Sequence, residues 1–285
     1  MERLQGRVAV ITGVASGIGL ALARRCAREG MKLVLADIEP APLAAACDEL
    51  RAAGADAVAE RTDVADAASV EALADAAYRR FGAVHLLCNN AGVSAAALRT
   101  PAWETRLEDW HWTLGVNLMG VVHGIRTFVP RMLAGGDEGH VVNTASVAGL
   151  LTGSGPYFAS KHGVVCVSEG LYKDLRLAGA KVAASVLCPG VIRTAILDAE
   201  RNRPADAGAP TDWAGLSDAA REWVQRFRAE LEAGWAPATV ADAVVDAVRS
   251  DRFYIVPAQE RYLGLLRLRL EDLRALRNPT LPPVG

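Results

Sequence analysis

Short apolar runs alternate along this chain with longer stretches in which apolar residues recur every three to four positions. The runs predict buried strands, and the three-to-four spacing predicts helices that turn one face toward a core. We expect strands at residues 7–11, 32–37, 56–61, 84–89, 140–144, 181–188 and 253–256. We expect helices at residues 17–29, 41–53, 66–80, 107–134, 157–178 and 237–249. The alternation predicts an α/β fold in which seven parallel strands form one doubly wound sheet with helices on both faces.

An insertion at residues 195–236 interrupts this alternation after the sixth strand. It contains a loop rich in Pro, Gly and Asp at residues 202–215, which we expect to be irregular. A helix predicted at residues 212–233 has one largely aromatic face, formed by Trp213, Leu216, Ala220, Trp223, Val224, Phe227 and Leu231. This face either packs on the body of the protein or walls an apolar pocket, together with Ile196 and Trp235.

The C-terminal segment, residues 259–285, is predicted to form a docking helix followed by a tail. A leucine stripe of Leu263, Leu266, Leu270 and Leu273 lies on one side of this helix, with arginines outside it. We expect the stripe to face the body of the protein and the arginines to face solvent.

Composition narrows the classes of function. The 285 residues include 31 basic and 33 acidic side chains, a balance that gives no reason for binding nucleic acid or an anionic membrane. The five cysteines stand in apolar runs without C-x-x-C spacing, and the histidines lack ligand spacing, so we expect buried thiols and no metal site. No run of 18 apolar residues and no signal-peptide core occurs, so we expect one soluble, cytoplasmic domain over residues 1–285.

The first predicted strand leads into a glycine-rich turn and then a helix. Gly13, Gly17 and Gly19 follow the apolar run at residues 8–11. Bare backbone lets a pyrophosphate approach, and a helix N-terminus supplies N–H donors and partial positive charge. The turn alone is a weak signal, because a mere tight turn has the same composition.

A phenol and an ammonium group stand four residues apart, at Tyr157 and Lys161. Residues at this spacing share a helix face, so the cation of Lys161 is expected to lower the pKa of Tyr157 by up to about three units. That change brings the phenol toward the pH at which a general acid or base works best. An exposed helix face is the alternative explanation for the pair.

The order of motifs resembles that of the short-chain dehydrogenase/reductase family. The matching motifs are Thr12-Gly13-xxx-Gly17-Ile18-Gly19, Asn89-Asn90-Ala91-Gly92, Asn117, Ser146, Tyr157-xxx-Lys161 and Pro189-Gly190-xxx-Thr194. The resemblance implies a Rossmann-type fold, an insertion that lids the substrate cleft, and a catalytic set of Asn117, Ser146, Tyr157 and Lys161. Ser146 precedes Tyr157 by eleven residues, slightly fewer than in many members of the family.

By the same resemblance, Ser146 hydrogen-bonds the substrate oxygen and Tyr157 exchanges a proton with it. Lys161 lowers the pKa of Tyr157 and binds the nicotinamide ribose, and Asn117 holds a water of a proton relay. The expected cofactor-binding residues are Gly13, Ser16, Gly17, Ile18, Gly19, Asp37, Asp63, Val64, Asn90, Ala91, Gly92, Tyr157, Lys161, Pro189, Gly190, Ile192 and Thr194.

Asp37 ends the second predicted strand and favours NAD over NADP, since a carboxylate there accepts ribose hydroxyls and repels a 2′-phosphate. Ile38 follows it, where no base is available to a phosphate. Asp63 and Val64 match the family's adenine contacts, although Asp63 is also a candidate helix cap.

These features predict an NAD(H)-dependent oxidoreductase that interconverts a secondary alcohol and a ketone on a fairly apolar, cyclic or aromatic substrate. The alternatives are an NADPH-dependent 3-ketoacyl thioester reductase and a non-catalytic, dinucleotide-sensing scaffold. The family's usual assembly implies a homotetramer, or a homodimer, in which the helices of Asn117 and Tyr157 pair with a partner. The apolar residues Val164, Val165, Val167, Leu171, Leu175 and Leu177 are expected to supply that interface.

Overall fold

A computed structural model describes residues 1–94, 100–205, 207–210, 218–257 and 260–280. Its strands are β1 (Val8–Thr12), β2 (Lys32–Asp37), β3 (Ala57–Arg61), β4 (Leu86–Asn89), β5 (Gly139–Thr144), β6 (Val182–Leu187) and β7 (Tyr254–Ile255). They form one parallel sheet in the order β3-β2-β1-β4-β5-β6-β7. The predicted seven-stranded parallel sheet is therefore confirmed.

Helices lie in the crossovers between these strands, and one further helix follows β7. They are α1 (Gly17–Arg28), α2 (Pro40–Ala52), α3 (Ala67–Phe81), α4 (Leu107–Leu114), α5 (Gly120–Gly135), α6 (Gly155–Leu177), α7 (Asp218–Glu232), α8 (Pro237–Ser250) and α9 (Glu260–Arg274). Short 3₁₀ turns cover Val147–Gly149 and Ile196–Asn202. No helix within the described ranges is long and apolar enough to cross a membrane.

The two faces of the sheet are covered by different helices, because successive strand residues point to opposite sides. Ala9 and Ile11 of β1 pack in a core with α1, α2 and α8. Val8 and Val10 of the same strand pack in a second core with α3, α5 and α6. Both faces of β1 are buried, which explains why this central strand is a continuous apolar run, whereas the edge strand β3 is partly exposed and ends in Glu60 and Arg61.

The predicted helix at residues 107–134 is interrupted in the structure. A π-helical turn, Gly115–Met119, separates α4 from α5 and contains Asn117. Gly120 directly follows the turn, and a Cβ there would lie 2.8 Å from the side chain of Val64. This close approach brings the turn against the loop after β3, and π turns of this kind occur often at functional sites.

Helix α6 is buried mostly within its own chain. Val164, Val165, Leu171 and Leu175 are each less than a tenth exposed, whereas Leu177 is 87% exposed. Four of the six apolar residues expected at the interface are thus buried by the chain itself, whereas Val167 is partly exposed and Leu177 is exposed, and the homotetramer stays a prediction. Cys166, on the same helix, is exposed, unlike the other four cysteines.

The C-terminal helix α9 does not dock through its leucine stripe. Leu270 and Leu273 are 55% and 61% exposed. Tyr262 and Arg269 make the contacts instead: Val191 N–H donates to Tyr262 Oη (3.2 Å), and Arg269 Nη1 donates to Leu150 O (2.6 Å). Regular spacing places side chains on one face, but it does not say which face the body of the protein covers.

Candidate active site

A cavity of about 440 Å³ lies at the carboxyl ends of the strands. The chain winds in opposite directions from β1 and β4, which are neighbours in the sheet, and this switch point opens a crevice between their loops. Except for Asn117, every predicted site residue lines the cavity: Gly13, Ser16, Gly17, Ile18, Gly19, Asp37, Asp63, Val64, Asn90, Ala91, Gly92, Ser146, Tyr157, Lys161, Pro189, Gly190, Ile192 and Thr194.

The glycine turn is fixed to the loop after β4. Thr12 Oγ1 accepts the backbone N–H groups of Asn90 (2.9 Å) and Ala91 (3.0 Å), and Asn90 Nδ2 donates to Thr12 O (3.0 Å). A Cβ on Gly13 would lie 2.8 Å from Ala91 Cα, and a Cβ on Gly19 would lie 1.9 Å from Gly13 O. These two glycines are therefore required for the loops to pass each other.

The N-terminus of α1 opens into the cavity. Ser16 is its N-cap, but the Ser16 side chain makes no capping hydrogen bond, and the first turn has no acidic residue. Gly17 has a φ of +57°, and a Cβ there would lie 3.0 Å from the Thr194 side chain. The N–H groups and positive end of α1 are thus available to an anion at the bare turn.

Asp37 lies at the end of β2 with its carboxylate held by the backbone. Its Oδ2 accepts Ala15 N–H (2.8 Å), and its Oδ1 accepts Glu39 N–H (3.0 Å). Burial raises the pKa of Asp37 above its usual value, and hydrogen bonds from the backbone N–H groups of Ala15, Glu39 and Ile38 oppose that change. The carboxylate keeps acceptor capacity for a hydroxyl in the cavity.

Asp63 is not the cap of the following helix. Its Oδ1 accepts Ala65 N–H (2.9 Å) within the loop, whereas Asp66 caps α3 by accepting Ala68 N–H. Asp63 and Val64 both line the cavity beside Asp37.

Ser146 and Tyr157 come together although eleven residues separate them. The 3₁₀ turn Val147–Gly149 shortens the connection, and Ser146 Oγ accepts Ala148 N–H (3.1 Å) as its cap. Ser146 Oγ donates to Pro189 O (3.4 Å), and its hydroxyl lies close enough to that of Tyr157 to act on the pKa of the phenol. Gly149 allows the turn to approach α6, since a Cβ there would lie 2.5 Å from Lys161 O. The short spacing is therefore compatible with contact between the two hydroxyl groups.

Lys161 is buried at 3% exposure and donates from Nζ to Thr144 O (3.1 Å). Burial lowers the pKa of Lys161 to about 8. Its Nζ lies 5.7 Å from the centroid of the Tyr157 ring.

The predicted fall in the pKa of Tyr157 is not what this cleft produces. Burial raises the pKa of Tyr157, and the hydrogen bond from Ser146 only opposes that change. Helix spacing places the ammonium beside the phenol, but both groups of the pair are desolvated, and burial disfavours the charged form of each.

Asn117 lies behind the cavity. Its Oδ1 accepts Val93 N–H (2.8 Å), and its Nδ2 donates to Val93 O (2.9 Å) and Ser160 Oγ (3.1 Å). A Cβ on Gly92 would lie 3.3 Å from Asn117 Oδ1 and 3.4 Å from Lys161 Nζ, so both side chains approach Gly92 closely. In this arrangement Asn117 braces the loop that faces Lys161.

The insertion turns its aromatic face toward the cavity. Trp223 and Phe227 stack with ring centroids 5.1 Å apart, and both line the cavity with Leu231 and Ile196. Trp235 instead binds through its backbone, which pairs with Val191 and Arg193. The predicted contributions of Trp213 and Leu216 lie outside the described residues.

Several cavity residues were not predicted from the sequence. Tyr262 of α9 lies against the turn after β6, where a Cβ on Gly190 would be 2.5 Å from its ring. Glu39, Arg201 and Asn202 also line the cavity. These three residues belong to no recognisable sequence motif. Only their charges distinguish Glu39 and Arg201 from the neighbouring residues.

A family model described as short chain dehydrogenase matches residues 7–205. This chain belongs to the short-chain dehydrogenase family. The 1-deoxy-11-beta-hydroxypentalenate dehydrogenase of Streptomyces avermitilis is 39% identical over 257 residues, 88% of this chain and 84% of that protein. A dehydrogenase/reductase of CLA biosynthesis from Lactiplantibacillus plantarum is 34% identical and covers 96% of this chain and 95% of its own length.

Among solved structures, a short-chain dehydrogenase/reductase from Burkholderia phymatum in complex with NAD shares 46% identity. It has a TM-score of 0.93 and covers 100% of both chains. This short-chain dehydrogenase is accordingly an oxidoreductase that acts on CH–OH groups with a nicotinamide dinucleotide.

The residues of the cavity fit such a dinucleotide. The uncapped α1 terminus beside Gly13 and Gly17 suits a pyrophosphate, and Asp37 at the end of β2 suits ribose hydroxyls. The bound cofactor supplies the hydride acceptor or donor for the reaction.

Proposed function

We propose that this short-chain dehydrogenase interconverts a secondary alcohol and a ketone with NAD(H), on a fairly apolar substrate that is cyclic or carries an aromatic ring. One observation carries the proposal. The cavity that contains Ser146, Tyr157 and Lys161 continues into an apolar wall that includes Trp223 and Phe227. Polar chemistry at one end and a water-excluding wall at the other suit a large apolar alcohol or ketone.

Tyr157 is the proposed general acid and base, because it lines the cavity together with Ser146 and has Lys161 Nζ 5.7 Å from its ring centroid. In ketone reduction its O–H gives a proton to the substrate oxygen, and in alcohol oxidation its phenolate accepts one. Ser146 donates a hydrogen bond to the same oxygen. Lys161 places a cation beside the phenol, and Asn117 holds the backbone of Val93 opposite it.

The raised pKa of Tyr157 has a directional consequence. At neutral pH the phenol of the free enzyme is protonated, which is the form that ketone reduction needs. Oxidation needs the phenolate, so the rate of alcohol oxidation is expected to rise with pH above neutrality, while reduction does not share that rise.

NAD(H) is favoured over NADP(H) by the charges at the end of β2. Asp37 and Glu39 both line the cavity there, and Ile38 stands between them. A 2′-phosphate would meet the carboxylate of Asp37 without a partner of opposite charge from Ile38. The NAD complex of the B. phymatum structure supports the same choice.

The insertion is the proposed lid of the substrate cleft. Its 3₁₀ turn and α7 contribute Ile196, Trp223 and Phe227 to the cavity. The relative from S. avermitilis is named as the dehydrogenase of a hydroxylated pentalenate, which supports a hydroxylated substrate here.

The test is a panel of secondary alcohols of increasing ring content, assayed for NADH formation beside matched reactions with NADP. The wild type is expected to oxidise the cyclic and aromatic alcohols with NAD. Tyr157→Phe is the matched control, because it removes one oxygen: it should lower kcat by about 10²–10⁴-fold and leave NADH affinity within a few fold.

Two outcomes contradict the proposal. Retention of more than about a tenth of kcat in Tyr157→Phe would reject the assignment of the acid and base. Turnover of 3-ketoacyl thioesters with NADPH, in the absence of activity on the alcohol panel, would reject both the cofactor and the substrate class.

A further inference from the structure

A charged contact crosses the cavity at the end of β2. Arg201 Nη2 donates to Glu39 Oε1 (2.8 Å), and Arg201 Nε donates to Glu39 Oε2 (3.2 Å). Asn202 Nδ2 donates to the same Oε1 (3.0 Å). Glu39 follows β2 and the two donors belong to the insertion, so the contact joins two segments that are distant in sequence and that both line the cavity.

The arginine is oriented by its own turn. Arg201 Nη1 donates to Asp198 O (2.8 Å), which fixes the guanidinium with its other edge toward Glu39. A bidentate contact between a guanidinium and a carboxylate has a specific geometry. The carboxylate of Glu39 therefore receives three directed donors from the insertion.

The position of the contact relates it to the dinucleotide. Glu39 N–H binds the carboxylate of Asp37, the residue proposed to hold the adenosine ribose. Glu39, Arg201 and Asn202 line the same cavity as Asp37. The contact thus lies next to Asp37, at the end of the cleft where the adenosine ribose is proposed to bind.

The opposite side of the turn is anchored far more firmly. Arg203 donates to Asp109 (2.6 Å) and to Glu200 (2.6 Å), with side-chain exposures of 2%, 7% and 9%. Arg203 also stacks over the ring of Trp112 at 4.3 Å. In the contact with Glu39, by comparison, Arg201 is 39% and Glu39 20% exposed. A buried ion cluster is costly to break, whereas an exposed pair exchanges readily with water.

We propose that Glu39, Arg201 and Asn202 form a cofactor clasp, which closes over the bound dinucleotide and slows its release. Opening breaks the exposed contact with Glu39 while the buried cluster around Arg203 holds the turn to α4. The inference rests on the proposed function, in that the dinucleotide is NAD(H).

Substitutions of Glu39 and Arg201 should not unfold the helices and turns that carry them. Glu39 is the N-cap of α2, but its side chain makes no capping hydrogen bond. Arg228 supplies a matched control: it pairs with Asp198 of the same 3₁₀ turn (2.9 Å, 46% and 50% exposed) and is absent from the described lining of the cavity.

The experiment measures the dissociation rate of NADH by displacement in a stopped-flow fluorimeter. The stabilisation expected from one exposed ion pair limits the effect on the dissociation rate. Arg201→Ala and Glu39→Gln should therefore each raise this rate about two- to fivefold. The double variant should add little to either one, because both changes open the same contact. Arg228→Ala should leave the rate unchanged. Added salt should speed release from the wild type more than from Arg201→Ala, since salt screens the pair.

Circular dichroism of each variant shows whether it is folded, and hydrogen exchange of residues 196–202 without cofactor gives a second readout. Exchange there should quicken in Arg201→Ala and in Glu39→Gln. Unchanged NADH dissociation in both variants, or an equal change in Arg228→Ala, overturns the clasp. A wild type that does not bind NADH rejects the proposed function itself, and the two failures are thereby distinguished.

Discussion

Replacing Lys161 by Met tests the electrostatics of the cleft directly. Burial lowers the pKa of Lys161 from 10.5 to about 8. This difference of about 2.5 pH units corresponds to about 3 kcal/mol, at about 1.36 kcal/mol for each unit. The charged ammonium therefore opposes folding by about that amount at neutral pH.

The lowered pKa of Lys161 determines the direction in which stability changes with pH. Below pH 8 both the folded and the unfolded chain hold the proton, and the full cost applies. Between pH 8 and 10.5 the unfolded chain holds more protons than the folded one, so stability rises with pH. Above pH 10.5 the cost has vanished. The stability of Lys161→Met should not rise with pH in this way. The variant also loses the hydrogen bond to Thr144 O, which lowers its stability by about 1 kcal/mol at every pH.

The assay is urea unfolding at several pH values, followed by tryptophan fluorescence. Relative to the wild type, the free energy of unfolding of Lys161→Met should fall by about 2 kcal/mol between about pH 7.5 and pH 10. Lys173→Met is the control, because Lys173 is an exposed lysine on the same helix. A constant difference across this range would mean that Lys161 keeps its ordinary pKa, and the account of the cleft as desolvated would be rejected.

Four further outcomes are expected. Asp37→Ala combined with Ile38→Arg should shift preference toward NADP(H) in binding titrations, and a wild type that already prefers NADPH contradicts the role of Asp37. Trp223→Ala should raise KM for bulky apolar alcohols without changing NADH affinity; an unchanged KM with a loss of about 3–5 kcal/mol in stability would show that the ring only packs. Gly190→Ala should displace the ring of Tyr262, since its Cβ would lie 2.5 Å away, and should lower activity in the alcohol assay more than NADH binding. Light scattering should return a homotetramer or homodimer, and a stable monomer near 30.1 kDa at micromolar concentration speaks against it.

The sequence by itself determined the sheet and the positions of its loops. The run that forms β2 ends at Asp37 in both the prediction and the structure, because a strand buried on both faces must be apolar throughout. Gly13, Gly17 and Gly19 were identifiable since only glycine permits such close backbone contacts. Neighbouring parallel strands bring their carboxyl ends together, so the loops after β1, β4, β5 and β6 had to meet.

The sequence did not predict where a helix is interrupted or which of its faces is buried. The π turn around Asn117 interrupts a continuous helical pattern, and its surroundings come from distant parts of the chain: Gly120, directly after the turn, packs closely against Val64. The leucine stripe of α9 was periodic, yet Leu270 and Leu273 stay exposed. Periodicity describes one helix, whereas burial depends on what packs against it.

Only the tertiary structure decided the electrostatics and the partners of the cleft. The spacing of Tyr157 and Lys161 indicated a charge beside a phenol, but the direction of the pKa of Tyr157 depends on desolvation by residues distant in sequence. Glu39 and Arg201 are separated by 162 positions, and no local pattern relates them. Local sequence fixes which groups are present and how they are spaced; their solvation and their long-range contacts exist only once the chain has folded.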